Sequence, residues 1–311
     1  MNISYTQAHL DGRPAHMKKG GLMHLRGFEK MQGMFKKNNK VSGVDRCNDK
    51  KGKTEHGKLS CYKMDQHSYI TNAQLGSQAA TKYTLDCDGE ERPDGGFEYP
   101  CEEGFDWISD LWGWVSPTTN KRYALAKVWD GISFIDITNT IHPIVLGFMD
   151  SSVDIFVGGT DGYWGDHKIV DDVVYIGAEW EGSGIQIYDL KQLDDLPRPN
   201  NDPPLERGEV HRIKPDNWLS SIGHTHNIVA FPELGKVLAV GIGFYDDNTA
   251  CDWSVGDTVI VLDVASDPID PPISCLNMGS EINTQNVDPY AQFNSNSGYI
   301  HDAHCFVYKG E

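Results

Sequence analysis

The stretch Gly131-Ile-Ser-Phe-Ile-Asp-Ile137 has two counterparts further along the chain, Gly184-Ile-Gln-Ile-Tyr-Asp-Leu190 and Thr258-Val-Ile-Val-Leu-Asp-Val264. Each is a β-branched and aromatic run closed by an aspartate, the composition of a short strand that ends in a turn. Each sits third in a set of four such runs. The first set is Asp110–Val115, Arg122–Val128, Gly131–Ile137 and Pro143–Phe148. The second is Asp166–Val170, Val173–Ala178, Gly184–Leu190 and Gly208–Ile213, and the third is Asn227–Phe231, Lys236–Gly241, Thr258–Val264 and Pro272–Leu276. A fourth set opens at Asp302–Val307. The set starts Asp110, Asp166, Asn227 and Asp302 lie 56, 61 and 75 residues apart. Turn signals separate the first and second runs: Ser116 to Asn120, Asp171-Asp172, and Pro232 to Gly235.

Four strands recurring at this period, lengthened by loop insertions, predict an all-β fold built of four-stranded antiparallel blades, a β-propeller. About three blades and the start of a fourth are present, too few to close a ring. The sequence is therefore read as an incomplete propeller, a piece of a longer protein, and a chain made alone is expected to self-associate through its bare sheet edges. Asp136, Asp189 and Asp263, which close the third runs, are expected to cap the turns that follow by accepting backbone N–H bonds.

Composition narrows the function. The chain has 311 residues, 7 cysteines and a net charge of -18. It holds no apolar run of the ~18 residues a spanning helix needs. So acidic a surface repels nucleic-acid phosphates and anionic membrane, so neither is expected as a partner. Charge is uneven: residues 1–60 carry 13 Lys/Arg against 5 Asp/Glu, and the remainder 14 against 40. Residues 1–97 are read as a largely disordered basic arm and cysteine-containing linker, and residues 98–311 as the partial propeller. The arm is a tether or an uninformative tail. No apolar core of a signal peptide follows Met1, although the rest of the chain reads as extracellular; the N-terminus is accordingly read as incomplete or wrongly started.

Several motifs occur in the order of one known family. Asp110-Leu-Trp-Gly-Trp114, Asp130-Gly-Ile-Ser-Phe-Ile-Asp-Ile137, Gly184–Leu190, His226-Asn-Ile-Val229 and above all His301-Asp-Ala-His-Cys-Phe-Val-Tyr308 resemble the choice-of-anchor B proteins, which carry LVIVD-type propeller repeats. The resemblance covers about residues 98–311. It implies a secreted or surface-attached β-propeller, joined to the membrane only through a C-terminal anchor, and no established catalysis. Family chains continue through further blades after the motif at His301–Tyr308. The upstream motif survives only around Tyr99-Pro-Cys101.

Widely spread cysteines suit an oxidising compartment. Cys87 and Cys101 flank a short acidic loop and are expected to pair, as are Cys251 and Cys275 on the third unit, which leaves Cys305 odd. The absence of a C-x-x-C pair argues against structural zinc.

Propeller first strands line the central channel. The polar residues there, Asp110, Asp166, His167, His224, His226, Asn227, His301, Asp302 and His304, are the candidate ligand-binding or channel-lining set. Side chains alternate along a strand, so His224 and His226 share a face, as do Asp302 and His304. Converging imidazoles and carboxylates suit a divalent metal, with His226, His301 and His304 as its ligands; the other reading is hydrogen bonding that orients adjacent blades. No nucleophile elbow, P-loop or dinucleotide fingerprint is present, and Gly241-Ile-Gly243 is an isolated fragment. Trp129, Trp164, Trp180 and Trp253 fall at predicted loops, either as a glycan platform or as packing between blades. The leading expectation is a non-catalytic binding module for a protein or glycan at the cell surface. The alternative is a metal-dependent enzyme using the channel histidines.

Overall fold

The computed structural model describes residues 108–152, 165–179, 182–198, 210–222, 225, 227–240 and 258–277. Shorter stretches are described at 46–48, 50, 53–54, 64–65, 67–68, 70 and 72–77. The chain divides into two compact units, Met1–Ile70 with Asn139–Pro143, and Thr71–Thr138 with Ile144–Glu311. In the first, β1 (Cys47–Asn48) pairs antiparallel with β2 (Lys53–Thr54), and the Cys47 amide donates to Asp65 Oδ1 at 2.7 Å.

The second unit is all-β apart from short helical turns. Its first sheet is β3 (Ile108–Val115), β4 (Arg122–Val128), β5 (Gly131–Asp136) and β6 (Ile144–Asp150), hydrogen-bonded in that order. The second is β7 (Gly165–Val170), β8 (Val173–Ala178), β9 (Ile185–Asp189) and β10 (Asn217–Leu219). The third is β11 (Asn227–Phe231), β12 (Lys236–Val240), β13 (Thr258–Asp263) and β14 (Ile273–Asn277). Every pairing within these sheets is antiparallel, and each sheet is an up-and-down meander in chain order.

The turns after the three first strands are built alike. Each contains a residue with positive φ: Asn120 at 56°, Asp171 at 52° and Gly235 at 58°. Asn, Asp and Gly are the residues that tolerate this conformation, which explains the turn composition of the sequence at all three places.

Period-2 alternation gives each sheet two apolar faces, and these faces join the sheets. Tyr123, Leu125 and Phe134 of the first sheet pack with Val174, Ile176 and Tyr188 of the second. The opposite face of the second, through Tyr175, Ile185 and Ile187, packs with Ile228, Ala239 and Leu262 of the third. The first strands are neighbours in turn, β7 lying against both β3 and β11. Two further bonds repeat across the sheets. Tyr123 Oη donates to Asp194 Oδ1 at 2.6 Å, and Tyr175 Oη donates to the Pro268 carbonyl at 2.8 Å. Asp194 and Pro268 each lie five residues beyond the aspartate that closes the third strand of their sheet.

One strand falls elsewhere than its sequence predicts. The described part of the run Gly208–Ile213, residues 210–213, is not the fourth strand of the second sheet; Asn217–Leu219 takes that place, paired with β9. His211 to Ile213 instead lie along the free edge of β6. The Phe148 amide donates to the His211 carbonyl at 2.8 Å, and the Ile213 amide donates to the Phe148 carbonyl at 2.9 Å, a parallel bridge. Gly147 makes room for it, since a Cβ there would come within 2.7 Å of Ile213 Cδ1. Trp129 lies in the turn between β4 and β5, at a loop as expected, and is buried, 2% exposed, which agrees with the packing alternative rather than the glycan platform. Trp164, Trp180 and Trp253 lie outside the described residues. In the segment read as a disordered arm, Asn72–Leu75 form a helical turn beside β6, with Leu75 buried.

Cys47 and Cys275 are each disulfide-bonded. Cys87, Cys101 and Cys251 lie outside the described residues, and so do the pairings Cys87–Cys101 and Cys251–Cys275.

Close approach of the second and third sheets depends on Gly177, whose missing side chain faces Thr225 Cγ2 at 2.2 Å from an ideal Cβ position. Gly177→Ala is expected to lower stability by about 1–3 kcal/mol through overpacking. Denaturant unfolding checks this, and an unchanged midpoint would contradict the packing described.

Candidate functional site

The three strand-closing aspartates cap their turns. Asp136 Oδ1 accepts from the Thr138 amide at 2.9 Å, Asp189 Oδ1 from the Lys191 amide at 3.0 Å, and Asp263 Oδ2 from Ser266 Oγ at 3.0 Å. Their recurrence is accounted for by turn geometry, as the sequence implied.

The aspartates that open the first strands do something different. Asp110 accepts from the next amide in its own strand, Leu111, through Oδ1 at 2.9 Å. Its Oδ2 accepts from the His167 amide on the neighbouring sheet at 3.0 Å. Asp166 repeats the arrangement one sheet on. Oδ1 accepts from the His167 amide at 2.9 Å, and Oδ2 from the Ile228 amide on the third sheet at 3.0 Å. Each carboxylate thus spans two first strands, one oxygen to each. Asn227 holds the corresponding position on the third sheet.

Two partly buried carboxylates side by side require compensation. Lys168 supplies it: its Nζ bonds Asp166 Oδ1, approaches Asp110 Oδ2 to 3.3 Å, and donates to the His167 carbonyl at 3.2 Å. The same ammonium lies 4.8 Å from the centre of the half-exposed Trp112 ring, a cation–π contact. Lys168 was not among the residues singled out from sequence, where an exposed lysine on a strand carries no signal.

The pair titrates asymmetrically. Burial, then the neighbouring Asp110, push the Asp166 carboxyl up to about 7. Burial acts on Asp110 too, but it is outweighed by bonds from Asp166 and His167 and by the charge of Lys168, so Asp110 stays below the usual range. His167 is fully buried, and burial lowers its imidazole to about 4 against the opposing pull of Asp110. Its Nδ1 lies 3.3 Å from Asp110 Oδ2, but a neutral ring makes this no ion pair. Neither ring nitrogen meets hydrogen-bonding geometry with a described group.

A second group escaped the sequence reading. Lys127, on β4, is wholly buried between the first two sheets, donates to the Val128 carbonyl at 2.7 Å, and is lowered by burial to about 8. Its alternating position beside Leu125 marked it as inward-facing, but a lysine there reads as an exposed interruption.

Of the candidate set, Asp110, Asp166 and His167 are brought together, and Asn227 lies on the next strand. His224, His226, His301, Asp302 and His304 fall outside the described residues, and the proposed metal ligands with them. Among the described residues no group of three or more His, Cys, Asp or Glu side chains is placed to hold a metal ion. Between Asp110 and Asp166 the cation is the protein's own ammonium.

No family model, curated protein or solved structure matches the chain.

The titration has a measurable consequence. From the ordinary carboxylate value of about 4 up to about 7, the folded state keeps a proton on Asp166 that the unfolded state releases, so this group's contribution falls as pH rises. His167 acts oppositely, but only between about 4 and its unfolded value of about 6.5. Wild-type stability is therefore expected to decline from pH 6.5 to 7.5, before Lys127, lowered to about 8, begins to act in the opposite direction. In Asp166→Asn, which keeps an acceptor oxygen for the Ile228 amide, that part of the decline is expected to vanish. Urea unfolding across this range reads it; parallel curves for the two proteins would refute the assignment.

Proposed function

We propose that residues 98–311 belong to a β-propeller of the choice-of-anchor B kind, and that it acts outside the cell as a non-catalytic module binding a protein or glycan at the cell surface. The observation that carries this reading is the use made of the first-strand carboxylates. In a propeller, the starts of these strands face the central channel, where an enzyme would gather its reacting groups. Here Asp110 and Asp166 spend their oxygens on amides of adjacent strands and on Lys168. A carboxylate so occupied is a poor general base or metal ligand, because its lone pairs are taken. The repeated meander, the neighbouring first strands and the acidic composition support the same reading.

Recognition then falls to the loops between strands, which vary in length from sheet to sheet while the strands repeat. Loops on a rigid scaffold are where binding residues concentrate.

The test pairs two measurements on the purified chain. Saturable binding to intact cells, lost after protease or glycosidase treatment of those cells, together with sub-stoichiometric metal content, is the expected result. Absence of binding, with a stoichiometric metal that disappears in a His226→Ala, His301→Ala double variant, would overturn the proposal in favour of a metal-dependent enzyme.

A further inference from the structure

The segment that crosses from the first sheet to the second builds a cleft on its way. It is pinned at both ends. The Ile213 amide donates to the Phe148 carbonyl at 2.9 Å, and the Asp216 amide donates to the Ile187 carbonyl at 2.8 Å. Lys214 and Pro215 span the gap between these points. Together with the end of β6 and its continuation to Ser152, Gln186 of β9 and Trp218 of β10, they line a cleft of about 250 Å³.

Trp218 gives this cleft an aromatic wall held in one orientation. Its Nε1 donates to the Ser183 carbonyl at 2.7 Å, yet the residue stays 44% exposed. Gly184 makes the position possible: its φ is 60°, and a Cβ there would lie 2.8 Å from Trp218 Nε1. An indole tied by its N–H and open on its face is a stacking surface, apolar in body and fixed at its polar tip.

Polar groups stand around that ring. Gln186 is the cross-strand partner of Trp218. Its Nε2 donates to the Asp150 carbonyl at 3.1 Å, which orients the amide and leaves Oε1 as an acceptor. Asp150 accepts from Arg212 through Oδ1 at 3.1 Å, and its side chain is 51% exposed. Lys214 is exposed and brings donors. One charge of each sign in the lining favours neither an anion nor a cation. The volume falls below the ~300–1,000 Å³ of pockets that take drug-sized ligands, which leaves room for one ring. A sugar ring has the matching surface: C–H groups on a face, hydroxyls around the rim and no charge.

We propose that the cleft between β6, β9 and β10 binds one neutral pyranose residue of a glycan, stacked on Trp218 and hydrogen-bonded by Gln186, Asp150 and Lys214. The inference rests on the reading of the chain as a binding module and narrows its ligand to a sugar.

Nuclear magnetic resonance titration of the isotopically labelled full chain tests it, with the methyl pyranosides of glucose, galactose and mannose as probes. The Trp218 indole N–H and the Gln186 side-chain amide are the reporters. At least one glycoside is expected to move both saturably, with a dissociation constant on the order of 1 mM, ordinary for a ligand of about a dozen non-hydrogen atoms. Trp218→Ala, at an exposed position, is expected to weaken binding at least about tenfold by the Gln186 reporter, and Trp218→Phe to weaken it less. No saturable shift with any of the three, or equal affinity in Trp218→Ala and the wild type, would overturn the proposal. Should Trp218→Ala not fold, the wild-type titration decides alone, since shifts confined to other surfaces refute it. The two readings fail separately. Cell binding unchanged by Trp218→Ala overturns the sugar cleft and leaves the binding module. Glycosides that fill the cleft of a chain that does not bind cells overturn the cell-surface module and leave the cleft.

Discussion

A carboxylate with one oxygen on its own strand and the other on the next is the constraint from which the arrangement of sheets follows. Apolar packing between sheets is broad but undirected; valines and isoleucines tolerate sliding. Asp110 and Asp166 remove that freedom, because each fixes the separation of two first strands to hydrogen-bond length at one end. Desolvating such groups is costly, and their bonds to amides plus the Lys168 ammonium offset the cost. The neutral His167 side chain fits the same economy: an imidazolium there would be a further buried charge, and burial keeps the ring uncharged. At the other end of the strands, Tyr123 and Tyr175 repeat a longer reach, each to a point five residues past a closing aspartate of the next sheet.

Much of the architecture was legible because strand periodicity and turn chemistry agree at the same residues. Ile132 to Asp136, Ile185 to Asp189 and Val259 to Asp263 alternate and end alike, and all three are third strands of their sheets. Asn120, Asp171 and Gly235 mark turns whose backbone needs positive φ. The error at Gly208–Ile213 has a plain cause. Val210, His211 and Ile213 have the composition of a strand, but composition does not say which edge a strand will meet. Gly147 opened the edge of β6 to it, and the shorter Asn217–Leu219 closed the second sheet.

The site was readable in part. Asp110, Asp166, His167 and Asn227 stand out because they recur at strand openings. Which atoms they bond depends on how adjacent sheets approach, and that is a tertiary fact no single strand encodes. Lys168 and Lys127 were invisible for a related reason. A lysine's meaning changes with its surroundings, from solvent-facing stem to buried counter-charge, and only the packed neighbours decide. The place of Trp129 in a loop was legible, but the choice between platform and packing was not; the two-residue turn between β4 and β5 leaves its ring in the interior.

The central claim, that first-strand carboxylates tie each sheet to the next, is tested most directly by scalar couplings through the hydrogen bonds themselves. In isotopically labelled protein, correlations are expected from the Asp110 side-chain carboxyl carbon to the His167 amide nitrogen, and from that of Asp166 to the Ile228 amide nitrogen. Couplings from these amides to other acceptors, with none to Asp110 or Asp166, would contradict it.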